Sequence, residues 1–284
     1  MTSGKTQAFA TREFFERIAS AVVLGTVVLG ALVLGGWPFA LIWIAAGVVG
    51  ASEWFTITRT SPVLALTLVN AAAIAATCAA ILLDAPAWAV LGIAVLAAGA
   101  LAGLARGGAA ARLNAVIGYA GGAIVALVPA LLREDPGIGI VGPAWMFAVV
   151  WSTDIIAYFT GRTIGGPKLM PRVSPKKTWS GALGGLAAGT LAGVAVVLVA
   201  RGSGVAALPL WLVALASAAA SVISQAGDLF ESSLKRRYGV KDSGRSIPGH
   251  GGVMDRLDGF FAVSLLVGLY LLVHAILART ALPA

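Results

Sequence analysis

The 284-residue chain has one cysteine, Cys78, so no disulfide can close within it. It has two histidines, His250 and His274, too few beside that cysteine for a zinc site. Charged residues make up 11% of the chain, less than half of the ~25% usual in a soluble domain. No polar stretch is long enough to enclose a core of its own. These shortages argue against a disulfide scaffold, a zinc enzyme and a soluble domain. They also argue against nucleic acid as a partner, because no soluble domain is there to hold it. What is plentiful is apolar: 59% of residues are hydrophobic and the mean hydropathy is +0.93.

The apolar residues fall into nine runs, at about 18–36, 38–57, 63–83, 87–105, 115–132, 143–161, 180–200, 209–229 and 259–278. Crossing a bilayer takes roughly 20 helical residues. The expected fold is therefore all-α, a polytopic integral membrane protein with about nine transmembrane helices. The first run has no clear cleavage site and reads as a retained helix, not a signal peptide. Gly36-Trp37-Pro38, Thr60-Ser61-Pro62, Asp84-Ala85-Pro86 and Glu134-Asp135-Pro136-Gly137 mark joints. Gly103, Gly121-Gly122, Gly181 and Gly184-Gly185 read as close-packing positions between helices. With the N-terminus cytoplasmic, 17 of the 20 basic residues fall on the cytoplasmic side and Arg133, Arg201 and Arg279 on the other. That is the asymmetry bacterial and other membrane proteins show. The chain then divides into a cytoplasmic tail, 1–17, N-terminal helices, 18–132, and a catalytic membrane region, 143–278. Cytoplasmic loops lie at 162–180 and 232–258.

The stretch Ser232–Asp258 is a polar island with six basic residues, three carboxylates and His250. Asp255 and Asp258 are spaced to share a face of a helix's first turn, where carboxylates favour the positive helix end. The alternative is a divalent-metal site completed by Asp228 from the preceding helix, since magnesium takes hard oxygen ligands and substrate phosphates. Asp154 and Asp228 lie in apolar runs, and ionisable groups at membrane depth point to function unless they serve as structural hydrogen bonds. Glu231 follows Asp228 by three residues on the same helical face. Glu53, near a helix end beside Trp54, reads as an interfacial anchor or as a further functional carboxylate. Ser174-Pro175 reads as a helix N-cap with proline at the first helical position, putting Lys176, Lys177 and Thr178 in a first turn suited to anions. His250, among glycines, could bind phosphate or move a proton; His274 reads as structural.

The pattern Ser232-x-Leu234-Lys235-Arg236, four residues, Lys241-Asp242, Gly244, Ile247-Pro248, His250-Gly251-Gly252-Val253, Asp255-Arg256-Leu257-Asp258 resembles the signature of the phosphatidate cytidylyltransferase family. Asp154-x-x-Ala157-Tyr158-x-x-Gly161-Arg162, Ser174-Pro175-Lys176-Lys177-Thr178-Trp179 and Gly227-Asp228-Leu229-x-Glu231-Ser232 resemble it too. The resemblance implies that CTP and phosphatidic acid give CDP-diacylglycerol and pyrophosphate, for phospholipid biosynthesis, at the cytoplasmic face of a cell inner or plasma membrane. It implies magnesium, with a second, monovalent ion such as K⁺ as a further candidate, and a homodimer. The family's metal-binding aspartates map onto Asp228 and Asp255, with Asp258 as a further ligand candidate. Lys241 joins Asp228 and Asp255 as a catalytic candidate. Ser174, Lys176, Lys177, Thr178, Lys235, Arg236, Asp242, His250 and Arg256 are candidates for holding substrate, with Asp154 and Glu231 as further site residues. The competing classes fare worse. CDP-alcohol phosphotransferases need further aspartates downstream, and no acidic residue follows Asp258. A transporter is expected to show repeated halves, and none is seen.

Overall fold

The computed structural model describes residues 22–202, 208–247 and 251–280. Among them are nine helices: α1 Val22–Leu34, α2 Gly36–Ile57, α3 Val63–Leu82, α4 Ala87–Leu104, α5 Ala109–Glu134, α6 Val141–Thr163, α7 Trp179–Gly202, α8 Leu210–Arg237 and α9 Met254–Thr280. Eight are long and apolar enough to cross a membrane, and α1 is the shorter one over its described residues. The expected all-α, multi-pass fold holds.

Two local expectations are corrected. Ser174–Thr178 is not a helical turn but strand β2, paired antiparallel with β1, Lys168–Met170, in the single sheet among the described residues. Lys168 faces Thr178 and Met170 faces Ser174. Gly165 and Gly166, at φ 67° and 98°, turn the chain out of α6 and bring the strands together. Pro175 is tolerated because both strands are edges. The cap of α7 is Thr178, whose Oγ1 accepts the Gly181 N–H at 3.2 Å. Nor is the polar island one loop. Ser232–Arg237 continue α8 and Met254–Asp258 open α9, leaving 238–253 as the connection. Helices run on past the apolar span, so hydropathy sets their ends too early.

The helices pack in two ways. Phe55, Leu66, Ile74, Leu101 and Tyr119 fill an apolar interior among α2, α3, α4 and α5. A second apolar cluster centres on Trp43 of α2, whose ring stacks on Phe260 of α9 at 4.5 Å and Phe147 of α6 at 5.8 Å. Between α6, α7 and α8 the seam is small and polar. Gly181, Gly185, Gly189 and Gly193 form a buried stripe on α7. A Cβ at Gly181 would lie 2.7 Å from the Ala157 carbonyl, and one at Gly185 2.8 Å from that of Thr153. The α6 backbone itself occupies the space. Serines of α8 complete the seam: Trp145 Nε1–H donates to Ser217 Oγ at 2.8 Å, and the Thr153 and Ser221 hydroxyls bond at 2.8 Å. Gly122 is equally tight against Gly47, but among the described residues nothing lies within 4 Å of a Cβ at Gly103, so packing among them does not explain it.

At one end of the bundle Arg133 Nε donates to the Leu32 carbonyl at 2.8 Å, and Glu134 accepts the Gly36 N–H at 3.0 Å. At the other end the α2–α3 and α4–α5 turns meet in a backbone bridge between Ser61 and Arg106.

Candidate active site

Four elements converge on one cluster of charge: the β1–β2 hairpin, the α6 segment around Asp154, the C-terminal third of α8 and the first turn of α9. Lys177, held in β2, forms an ion pair with Asp228 of α8. Ser232, one turn further along α8, donates to Asp228 Oδ1 at 3.4 Å. Asp154 and Asp258 lie within electrostatic reach of Asp228 and of Lys177. Asp258 Oδ1 accepts the Gly259 N–H at 2.7 Å. Gly227 and Gly259 allow α8 and α9 to approach here: a Cβ at Gly227 would lie 2.7 Å from the Asp258 carbonyl.

A second charged group adjoins the first. Lys235 Nζ lies 2.5 Å from Asp255 Oδ1 and 3.3 Å from Glu231 Oε1, the latter an i, i+4 pair along α8. Asp255 Oδ2 accepts the backbone N–H groups of Ser243 and Gly252, both at 2.9 Å. Both Asp255 oxygens are thus engaged, Oδ1 with Lys235 of α8 and Oδ2 with two backbone N–H groups of the α8–α9 connection. Glu231 is buried, and neither of its oxygens has a hydrogen bond of good geometry among the described residues; Lys235 and Asp258 are its charged neighbours.

The sequence candidates divide accordingly. Asp228, Asp258, Asp154 and Lys177 come together, whereas Asp255, Lys235 and Glu231 form the adjoining group. Although Asp255 and Asp258 share the first turn of α9, they address different partners. Lys176, Arg236, Lys241, Asp242 and Arg256 are exposed around the site. Ser174 is half-buried in β2, and Thr178 is buried as the α7 cap. His250 lies outside the described residues. Glu53 has a larger part than an interfacial anchor. It is buried, and it accepts from Ser243 Oγ, Ser246 Oγ, Val253 N and Met254 N at 2.6–2.9 Å. A lone acid in an apolar run was the signal for it; its partners, some 200 residues away, leave no local trace.

The donors here are all oxygens, and Glu231 is a buried carboxylate that faces Lys235 and Asp258. Such a set suits a hard cation such as magnesium, which takes one or two carboxylates and completes its shell from phosphate and water. Among the described residues no three acids form a ready-made ligand group. Asp228 and Asp258, within electrostatic reach of each other, are carboxylates that could hold such an ion, with Asp255 in the adjoining group.

Beside the cluster is a cleft of about 560 Å³ between α2, α5, α8 and α9. Trp54, Gly118, Phe230, Leu257 and Phe261 line it, and Glu231 and Asp258 border it. Apolar space thus runs directly up to charge.

The cytidylyltransferase family profile matches residues 15–274. The chain belongs to that family. It is 42% identical over 275 residues to a phosphatidate cytidylyltransferase of Brucella suis, an alignment covering 94% of this chain and 96% of that protein. The Brucella abortus protein of the same name is 43% identical over 261 residues, covering 89% and 92%. A Staphylococcus haemolyticus phosphatidate cytidylyltransferase is 42% identical over 128 residues, covering 45% and 48%. Membership of the cytidylyltransferase family makes the chain a nucleotidyltransferase, and the cluster where lysine meets three carboxylates is its candidate active site.

Proposed function

We infer that the chain transfers the cytidylyl group of CTP to phosphatidic acid, giving CDP-diacylglycerol and pyrophosphate. The observation that carries this reading is the junction of Lys177, Asp228, Asp258 and Asp154 beside an apolar cleft. A water-soluble triphosphate and a bilayer lipid can meet there. Relatives more than 40% identical over nine-tenths of the chain bear the name of this activity.

Phosphatidate is already an oxyanion. Its phosphate oxygen attacks the α-phosphorus of CTP, the bond from that phosphorus to the α–β bridging oxygen breaks, and pyrophosphate leaves with the electron pair. No strong general base is required, so catalysis is positioning and charge neutralisation. Lys177, fixed on the hairpin, would neutralise phosphate at the reacting centre. Lys176, Arg236, Lys241 and Arg256 supply positive charge around it for the triphosphate, the leaving pyrophosphate and the lipid headgroup. The cleft would keep the acyl chain within the bilayer while its phosphate reaches Asp258. Asp228 and Asp258 would hold magnesium, whose charge would offset that of the phosphates; Glu231 or Asp154, each within electrostatic reach of Asp258, would supply an oxygen to a monovalent ion such as K⁺. Asp255 would hold the connection in shape.

The asymmetry of basic residues supports a site on the cytoplasmic side of an inner or plasma membrane, and the family resemblance supports a homodimer, which a mass measurement in detergent tests. For the reaction, purified protein is supplied with CTP, phosphatidic acid and Mg²⁺, and pyrophosphate is measured with and without EDTA. Chelator-sensitive release of pyrophosphate with formation of CDP-diacylglycerol is expected. Preferential use of a competing isoprenoid ether lipid phosphate would reassign the acceptor, and no CTP consumption would overturn the reading.

A further inference from the structure

We propose that Glu53, in the second helix, is a positioning residue for the transfer reaction: it holds the α8–α9 connection and caps α9, so that Asp255 and Asp258 stay placed. The proposal rests on the function inferred above for its catalytic part only.

All four strong acceptor directions of the Glu53 carboxylate are taken. Oε1 accepts from Ser246 Oγ at 2.6 Å and from the Val253 N–H at 2.9 Å. Oε2 accepts from Ser243 Oγ at 2.9 Å and from the Met254 N–H at 2.8 Å. The two backbone donors belong to the start of α9, where N–H groups have no partner within the helix. The residue just before α9 is Val253, which has no side-chain acceptor. A carboxylate from another helix takes over the cap, and its negative charge faces the positive helix end.

The surrounding sequence fits that carboxylate. A Cβ at Gly244 would lie 2.7 Å from Glu53 Oε1, and one at Gly252 2.5 Å from Oε2. Any side chain at either position would push the carboxylate out. Ser243 then links Glu53 to the site. Its hydroxyl donates to Glu53 and accepts the Asp255 N–H at 3.3 Å, while its own N–H donates to Asp255 Oδ2 at 2.9 Å. Asp255 in turn holds Lys235 beside Glu231. Five residues from three helices and one connection therefore form a continuous chain, and Asp258 rides on the helix end that Glu53 anchors. A fold staple alone needs no route to Asp255; this one has it through a single hydroxyl.

Glu53→Gln keeps the shape but places an NH₂ group against backbone N–H donors in either orientation. Expected is a fall in kcat of about 100-fold per folded enzyme, the scale of a small misplacement of reacting groups, with little change in the KM for CTP. Glu53→Asp, which keeps the charge, retains more activity than Glu53→Gln. Ser243→Ala removes only the link, and the double variant Glu53→Gln/Ser243→Ala is no slower than Glu53→Gln alone, because both act through one connection. Hydrogen exchange of 243–254 rises in Glu53→Gln while that of α6 and α7 stays unchanged. Wild-type kcat in Glu53→Gln, or losses that multiply in the double variant, would overturn the catalytic role. Unchanged exchange at 243–254 would overturn the latch itself, and this readout stands even if the wild-type protein proves to act on other substrates.

Discussion

Within α2–α5 the interior is Phe55, Leu66, Ile74, Leu101 and Tyr119; between α6, α7 and α8 it is four glycines, Thr153, Ser217 and Ser221. The first half fills most of its space with side chains, with one close backbone approach of α2 and α5 at Gly47 and Gly122. The second brings backbones together and closes the seam with hydroxyl bonds, because in a bilayer apolar surface gives little reason for helices to associate. The reaction needs carboxylates from α6, α8 and α9 held near one another and near a hairpin. Close backbone approach fixes those distances, whereas larger side chains would set the helices apart. The N-terminal half adds to the second half's polar apparatus mainly through Glu53.

Predictions that separate the halves run from large to small. Asp228→Ala should reduce CDP-lipid formation by about a thousandfold, the upper range for loss of an electrostatic group at a reacting centre, while membrane insertion stays intact; Lys177→Ala should fall next, by roughly a hundredfold. In the first half, Leu66→Ala should lower stability by about 3 kcal/mol through the cavity it opens, read as detergent unfolding, with turnover per folded molecule unchanged. Gly185→Val should cost about 2 kcal/mol by overpacking and, unlike Leu66→Ala, should also reduce turnover, because α6 carries Asp154 on the displaced segment. Ser217→Ala should cost only ~0.6 kcal/mol, the typical worth of a hydrogen bond between membrane helices. Equal loss of turnover from Leu66→Ala and Gly185→Val would erase the distinction drawn here.

Hydropathy made the helices legible, since each run of apolar residues long enough to span became one. It could not mark their polar ends: Ser232–Arg237 extend α8 beyond the apolar span. Ser174-Pro175 carried a valid local helix-start signal, but pairing with Lys168–Met170 across the Gly165-Gly166 turn outweighed it. Asp154 and Asp228 were visible as acids in apolar runs and Asp258 as a carboxylate in the first turn of a helix, and the meeting of Asp228 with Asp258 follows from α8 and α9 flanking one connection. Lys177 was visible as a cation but not as the partner of Asp228. The i, i+3 spacing of Asp255 and Asp258 suggested a shared task, and the bonds of Asp255 to Lys235, Ser243 and Gly252 left no trace in that spacing. Glu53 stood out only as an isolated acid, because its contacts are wholly tertiary.

The central claim is that the junction of α6, α8, α9 and the hairpin carries out cytidylyl transfer, and Asp258→Asn tests it most directly. This change keeps the side chain's size and removes its charge. Pyrophosphate release from CTP and phosphatidic acid in Mg²⁺ should fall by at least about a hundredfold in a variant that unfolds like the wild type, and wild-type release should stop with EDTA. Wild-type turnover in Asp258→Asn would contradict the account.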